Sequence, residues 1–366
     1  MTTNKSLRSS LIALVVLLGT TGPLVAQNTG IRVGAGASFE GFVFDNRKAV
    51  GMHGVALATA PFAARYTGPV IVEVAGSYAH GLLVSPTGDL STVTGLTDTS
   101  IMLSVPLANE RISLTGTAFL PTGNASQTIQ EAAVAGVIAA DLLPFRISNW
   151  GTGGGFDLSA SVAVPVGGFG IGARVGYSAA REFEPLAGPE VFSYQPGNQT
   201  YVRVAVDHSI GATSKASLSA TMQRFSDDAF DGENLYRSGD RLEVLAALDL
   251  GAGNSGNASL YAGVMHRSQS AFLDGSEDFA AQDLIVAGAG LRLPFGNSAF
   301  LPSTDLRVFR REDGVGQGYL VGVGASFELG AFIPTIRGRV GNLVVNDQSR
   351  SRLYGGEVGL AVRLGR

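Results

Sequence analysis

The residues most able to do chemistry in this sequence are charged side chains set singly, at every-second spacing, inside apolar runs. They are Arg32, Glu40, Glu73, Asp157, Arg174, Arg203, Asp207, Arg241, Glu243, Arg292, Arg307, Glu328, Arg337, Arg339, Glu357 and Arg363. Side chains alternate faces along an extended strand, so each of these lies opposite the apolar residues of its run. Guanidinium and carboxylate groups that face one another across water set up a transverse field, which orders water and sorts solutes by charge and dipole. Side by side in a narrow space, the same groups merely pair. The spacing is compatible with both. It also predicts that the inward arginines crowding the C-terminal half, with Arg32 brought beside them by closure, outnumber Glu328 and Glu357, leaving an uncompensated positive wall around Arg337 and Arg339.

Other chemistries have less support. His266 and Ser268 stand two apart, on one face of an extended run. That is similar to the His-x-Ser arrangement of outer-membrane phospholipase. The next residues here are Gln269-Ser270-Ala271 rather than that family's Asn-Gly-Arg, and no orienting polar residue stands at a telling spacing, so no catalytic residue is assigned. His53, His80 and His208 are scattered without metal-ligand spacing, and no metal or other cofactor is expected. Gly151-Thr-Gly-Gly-Gly155 lacks the Lys-Ser/Thr of a phosphate loop. Acidic stretches at Asp227, Asp228, Asp231 and Glu233, at Asp274, Glu277 and Asp278, and at Glu312 and Asp313 read as solvated loop surface, with divalent-cation binding as the alternative. The absence of Cys excludes a disulfide framework, and a net charge of −4 argues against nucleic acid as a partner.

The elements that must position these charges are strands. Lys5 and Arg8 precede an apolar stretch, Leu11 to Gly19, and then Leu24-Val-Ala-Gln27, the pattern of a secretory signal peptide over residues 1–26. Residues 27–366 form one unit. Charged residues make up 15% of the chain, below the ~25% usual in soluble domains. Mean hydropathy is +0.23, yet no later stretch is apolar and long enough for a spanning helix. Alternating apolar and polar residues recur instead in about sixteen runs: 31–44, 52–64, 69–84, 96–107, 111–121, 154–166, 168–181, 199–211, 216–226, 239–251, 257–268, 281–294, 299–311, 317–330, 332–345 and 352–365. Tight connections follow every even run, as at Thr67-Gly68, Gly167 and Gly330-Ala331, and most long ones follow odd runs. Short inner turns and long outer loops alternate in this way in outer-membrane barrels.

The expected fold is therefore all-β: a closed antiparallel transmembrane β-barrel of about sixteen strands, with fourteen as the alternative, in the bacterial outer membrane. The charged residues named above would line its lumen, because a charge at the lipid-facing midplane costs about 2–4 kcal/mol. Aromatics near run ends, among them Phe42, Phe44, Tyr66, Phe169, Phe295, Phe309, Phe332 and Tyr354, are expected to form interfacial girdles. Connection 122–153 stands apart: Gln127 to Leu143 is rich in Ala, Ile and Val, could hold a short helix before Pro144, and could fold into the lumen or cap the mouth. The expected function is a pore for passive transport of small solutes. The rivals are a structural or surface-interaction barrel with a filled lumen and a lipid-modifying enzyme. Expected partners are outer-membrane lipids, small solutes and the barrel-assembly machinery.

Leu120-Pro-Thr-Gly-Asn124, at one strand's end, and Gly151-Thr-Gly-Gly-Gly-Phe-Asp-Leu-Ser159, opening the next, resemble the transporter-like barrels of phenol-degradation pathways. That resemblance covers about a sixth of the chain and implies passive uptake of small organic or aromatic solutes. The chain departs from outer-membrane barrels in general by ending Val362-Arg-Leu-Gly-Arg366, without the terminal aromatic that the assembly machinery reads.

Overall fold

The computed structural model describes residues 30–188, 192–251, 256–275, 278–346 and 349–364. The expected signal peptide, Glu277 and the closing residues 365–366 lie outside them. Strands β1 (Gly30–Phe44), β2 (Gly54–Thr67), β3 (Ile71–Val84), β4 (Leu90–Leu96), β5 (Thr99–Leu107) and β6 (Ile112–Leu120) come first, with a one-turn helix α1 (Arg47–Val50) after β1. Helix α2 (Ile129–Ile138) follows β6. Then come β7 (Gly155–Val166), β8 (Phe169–Ala180), β9 (Tyr194–Gln195), β10 (Gln199–Ile210), β11 (Ser214–Phe225), β12 (Asp227–Phe230), β13 (Glu233–Arg237) and β14 (Arg241–Gly251). The last are β15 (Asn257–Arg267), β16 (Ser270–Phe272), β17 (Asp278–Phe279), β18 (Gln282–Phe295), β19 (Ser298–Arg311), β20 (Gly318–Leu329), β21 (Phe332–Asn346) and β22 (Ser349–Leu364).

Each long strand pairs antiparallel with the next, and β22 returns to pair with β1, so the sheet closes on itself. β4 and β5 are two parts of one stave, since both lie along β3: His80 faces Thr94 in one half and Glu73 faces Met102 in the other. The barrel thus has sixteen staves. Closure answers the requirement that no backbone N–H or C=O go unpaired in hydrocarbon. Residues 85–95, expected to be a loop, contribute β4. Between β4 and β5 the register slips by one residue: Thr97 still donates its amide to the Ser77 carbonyl at 2.8 Å, Asp98 leaves the ladder, and the inward parity moves from odd (Val93, Gly95) to even (Ser100, Met102).

The outer face carries the apolar parity. Val33, Leu103, Val175, Val204, Val323, Ile336 and Val358 are all exposed there, the belt a bilayer would cover. Tyr66, Phe169, Phe295, Phe327 and Phe332 cluster at one end of it, where the connections are short, and Tyr78, Phe156, Tyr177, Tyr319 and Tyr354 lie toward the other. Phe42, Phe44 and Phe309 do not join these girdles. They share the parity of Glu40 and Arg307, point inward and are buried. The turn after β7 shows why the short connections favour glycine: Gly167 and Gly168 take φ of 56° and 89°, as a two-residue hairpin turn demands.

At the long-loop end, β9, β12, β13, β16 and β17 form a separate small sheet. The carboxyl of Asp228 ties it together, accepting from Tyr194 Oη at 2.6 Å and from the Gly197 amide at 2.7 Å. Burial pushes the Asp228 carboxyl above its ordinary range, against these two hydrogen bonds. A carboxyl raised in the folded state binds its proton there before the unfolded chain does. Its stabilisation is therefore full below the unfolded value and is lost as pH rises through the folded one. Asp227, held below its ordinary range by the hydrogen bond from Arg237, acts in the opposite sense, so the Asp228 contribution is read by difference: relative to Asp228→Asn, the native protein should gain resistance to limited proteolysis as pH falls from 7 to about 4. Topology has its own test: cysteines at Asp89 and Glu233 should react with an impermeant label on intact cells, and one at Ala212 should not. Equal labelling of both sets contradicts the orientation.

Candidate functional site

The connection from β6 to β7 enters the barrel. Asp98, freed from the ladder, holds both ends of it: Oδ1 accepts from the Gly123 amide at 3.1 Å, and Oδ2 accepts from the Thr152 amide at 2.7 Å and its hydroxyl at 2.8 Å. Thr122 Oγ1 adds a second tie, accepting from the Thr99 amide at 2.9 Å and donating to the Thr97 carbonyl at 3.0 Å. The Pro-Thr-Gly and Gly-Thr-Gly segments thus turn the chain inward and out again.

Within the connection, α2 starts on a capping box, the Thr128 side chain accepting from the Glu131 amide while the Glu131 carboxylate accepts from Thr128 N. Its buried residues, Val134 and Ile138, are four apart and share one face. They join Leu142, Leu143 and Trp150 in a core with Phe42, Phe44, Val55, Leu57, Ala79, Val93, Leu284, Phe309, Leu320 and Leu353, all on the inward parity of their strands. Trp150 Nε1 donates to the Ala79 carbonyl at 3.1 Å. Gly81 lies directly beneath this contact. A Cβ there would stand 2.7 Å from Ile138 Cδ1 and 2.9 Å from Trp150 Cη2, so only glycine permits the approach. Further along, the Asp141 carbonyl accepts from Arg307 Nε at 2.7 Å and its Oδ2 from Gln282 Nε2 at 3.2 Å, on β19 and β18. The segment therefore runs from the β3 wall to the β18–β20 wall through the lumen.

Beside it lies an ion-pair network. Arg337 Nε is 3.3 Å from Asp305 Oδ1, and its Nη1 is 3.5 Å from Glu357 Oε2. Arg339 reaches Asp305 at 3.5 Å and Glu357 at 3.7 Å and also binds Glu40. Arg146, from the inserted segment, binds Glu357. Glu40 and Glu357 face each other across the β1–β22 seam, so Arg339 must lie between two carboxylates whose mutual repulsion would otherwise be severe. The expected uncompensated wall around Arg337 and Arg339 is not found. Asp305, on the same parity as Arg307, supplies one further carboxylate, and Glu40, far away in sequence, is brought in by closure.

The register places the other charges of the expected set on the inward parity in separate groups. Arg292 binds Glu328 at 2.8 Å. Asp157 accepts from Tyr201 Oη at 3.1 Å and is 3.7 Å from Arg174, whose guanidinium lies 5.6 Å from the centre of the Tyr201 ring. Arg203 donates to Ser219 Oγ at 3.3 Å, and Asp207 pairs with Lys215 at 3.1 Å. Arg241 and Glu243 lie on β14 across from Arg267 and Met265. Glu73 takes Arg65 at 3.5 Å, Arg65 being the cross-strand neighbour of Arg32, while Arg363 faces Gly34.

The two walls of the lumen differ. On β1–β4 and β18–β22 most inward side chains level with the inserted segment are buried under it. On β5–β11 the inward residues Ser113, Thr115, Thr117, Ser159, Ser161, Ser219 and Thr221 are half-buried, Ser217 and Arg203 are exposed, and Ser104 and Gln223 are buried. This hydroxyl-rich wall remains open to the lumen. A groove of about 910 Å³ lies instead on the apolar outer face, bounded by Leu103, Leu114, Val175 and Val202.

His266 faces outward, and its Nδ1 lies 2.8 Å from Asp283 Oδ1 on the adjacent strand, an acid that sequence spacing alone does not reveal. Ser268 follows the end of β15, its amide donating to the Asp240 carbonyl at 2.9 Å. The loop acids hold loops together: Asp227 binds Arg237 at 2.6 Å, Asp231 accepts from the Ser193 amide at 2.8 Å, and Asp313 binds Arg311 at 2.5 Å. Among the described residues no three such groups form a metal cluster.

A sixteen-stave barrel with an apolar belt, a polar lumen and an inward-folded connection defines the class: a transmembrane β-barrel of porin architecture. Among solved structures, the chain is similar to Pseudomonas putida OprB in a high-pH form, at 10% identity and a TM-score of 0.53, with 92% of this chain and 94% of that chain covered. At that identity the likeness concerns the fold. A triple mutant of Rhodopseudomonas blastica porin aligns over 91% of this chain and all of its own at 12% identity, with a TM-score of only 0.42. No family model matches the chain, and no curated protein matches it in sequence.

Trp150→Ala removes both the anchor and its hydrogen bond. It should lower the barrel's denaturation midpoint, with a loss of about 3–5 kcal/mol for a large buried aromatic. Arg339→Gln should destabilise by a similar ~3–5 kcal/mol because it leaves Glu40 and Glu357 face to face, whereas Arg203→Gln should be near neutral. Equal midpoints for Arg339→Gln and Arg203→Gln would contradict the network.

Proposed function

We propose that the protein is a bacterial outer-membrane pore through which small polar solutes diffuse passively. The carrying observation is the asymmetry of the lumen: the inserted segment covers one wall and leaves the hydroxyl- and charge-bearing β5–β11 wall accessible. A lumen filled for structural reasons alone would have both walls buried. Serine and threonine hydroxyls can donate and accept, so they exchange hydrogen bonds with passing water and polar solutes at little net change. The lining charges act with them as a set of local pairs that define a polar path without a strong net field.

The reading that small organic or aromatic solutes pass rests on the Pro-Thr-Gly and Gly-Thr-Gly segments. Here their hydroxyls and amides are taken up by Asp98 and neighbouring backbone, which supports a role in shaping the loop. Catalysis is the least supported reading: the His266 imidazole faces outward beside Asp283, with no hydrogen bond to Ser268 among the described residues. Export through removal of residues 1–26 and insertion by the barrel-assembly machinery complete the proposal.

The test is conductance of the purified protein in planar bilayers. Discrete steps with a near-linear current–voltage relation are expected, and Trp150→Ala should enlarge them by loosening the inserted segment. Replacing Arg203 and Arg174 by Gln should shift the reversal potential toward cations more at 50 mM than at 1 M salt, since screening shortens the reach of the lining charges to about 3 Å at 1 M. A protein that inserts but never conducts is a filled structural barrel, and the pore reading then fails.

A further inference from the structure

We propose that one sector of the outer surface, formed by α1 and the outer ends of β19–β22, binds the phosphate groups of an anionic glycolipid in the outer leaflet. The proposal rests on the reading that the barrel sits in an outer membrane. The sector is built by register. Outward-facing Val321 and Val340 are cross-strand neighbours, and Val340 is followed by Tyr354 and then Val43 across the seam. One step nearer the long-loop end stand Tyr319, Asn342 and Arg352, again neighbours in a row. Arg350 lies beyond them opposite Val344, and Arg310 lies on the outward parity of β19, just past Val308 and Tyr319. The order from the belt outward is therefore valine, tyrosine, arginine. It is the order in which a bilayer offers hydrocarbon, interface and charged headgroup.

Helix α1 adds Arg47 and Lys48 to the same place. Asn46 Nδ2 donates to the Arg350 carbonyl at 3.1 Å, and the Asp45 amide donates to the Arg352 carbonyl at 3.1 Å, which fixes the helix against β22. Arg47, Lys48, Arg310, Arg350 and Arg352 are all exposed. Four carboxylates lie nearby: Asp45, Asp283 and Asp313 are already engaged, Asp313 by Arg311 at 2.5 Å, and exposed Glu312 follows Arg311 in the chain. Asp45 accepts from the Arg352 amide at 2.8 Å and from Ser351 Oγ at 3.0 Å, and Asp283, the cross-strand neighbour of Arg310, holds His266. With the Arg311–Asp313 pair cancelling, five cations stand against Asp45, Asp283 and Glu312, which leaves the sector positive.

The rest of the outer rim is sparser. Arg224 is answered by Asp240 at 3.4 Å, the β6–β8 rim carries one exposed cation, Arg181, beside Leu120, Phe156 and Tyr177, and the β3–β4 rim presents Leu90 and Thr92. A general attraction to any anionic surface would have spread cations around the circumference. Their concentration on one side, at headgroup height and beside two interfacial tyrosines, fits a discrete ligand with two or more phosphates and acyl chains that lie along the valine-rich staves. Guanidinium groups suit phosphate because they can donate two parallel hydrogen bonds.

The test measures binding of fluorescent bis-phosphorylated lipid A to the detergent-solubilised, full-length barrel. Arg310→Gln, Arg350→Gln and Arg352→Gln combined should weaken it on the order of 100-fold, about fivefold for each cation removed. Arg224→Gln should leave it unchanged. Dephosphorylated lipid A should bind the native protein as weakly as the triple variant binds the phosphorylated form. Unaltered heat-modifiable mobility and single-channel conductance of the triple variant would show that fold and pore are intact, which separates failure of this site from failure of the pore reading. Native-like binding by the triple variant overturns the proposal. So does displacement of the lipid by inorganic phosphate at equimolar concentration, which would make the sector a free-anion site.

Discussion

The pairing of β1 with β22 is the contact on which the rest of the structure depends. It runs without interruption from Val33–Leu364 to Phe44–Leu353 and turns an open sheet, with two edges of unpaired amides and carbonyls, into a cylinder with none. The same seam has a second consequence. It sets Glu40 against Glu357, two carboxylates from opposite ends of the chain, and Arg339 and Arg337 from the next strand answer them. Closure thus creates the electrostatic problem that the network solves, and the network in turn fastens the seam from within.

The inserted segment depends on a local irregularity elsewhere. Where β4 gives way to β5, the register slips by one residue and the inward parity shifts with it. Asp98 falls at that slip and can therefore bond to Gly123 and Thr152 at the two ends of the segment. The apolar face of α2 could not remain in water at little cost, and the lumen supplies Leu57, Ala79, Val93 and Leu320 to meet it. Half of the wall is consumed in this contact and half is left to solvent. The asymmetry of the lumen is therefore a product of packing, and the polar path lies where packing did not reach.

The polar groups divide by height and by face. Inside, several arginines are met by carboxylates or hydroxyls, Arg292 by Glu328 and Arg174 by Asp157 and Ser159, whereas Arg241 lies across the ladder from Arg267. At the long-loop end, acids such as Asp227, Asp228 and Asp231 fold loops. Outside, cations gather on one sector at the level of the lipid headgroups. Each location imposes a different demand on the same residue types.

The sequence by itself determined a closed barrel of about sixteen staves and the apolar parity of most of them, because side-chain alternation is a period-two property that each run carries locally. That is why charged positions as far apart as Glu40 and Arg363 could be assigned to one face from spacing alone. The sequence carried no sign of β4 or of the small loop sheet, nor that Phe42, Phe44 and Phe309 turn inward. It could not determine which charges meet. The partners of Arg339 lie on β1, β19 and β22, and only closure and register bring Glu40, Asp305 and Glu357 together. Nor could it give the course of residues 121–154. Ala, Ile and Val there demand burial, but the partner surface, from Phe42 through Leu320 to Leu353, is assembled from staves scattered along the whole chain. His266 shows the same limit: its acid, Asp283, is seventeen residues away on the neighbouring stave, a proximity set by the ladder register. Local periodicity is written in consecutive residues, whereas pairing between faces across a lumen is a property of the closed cylinder, and only the tertiary structure decided it.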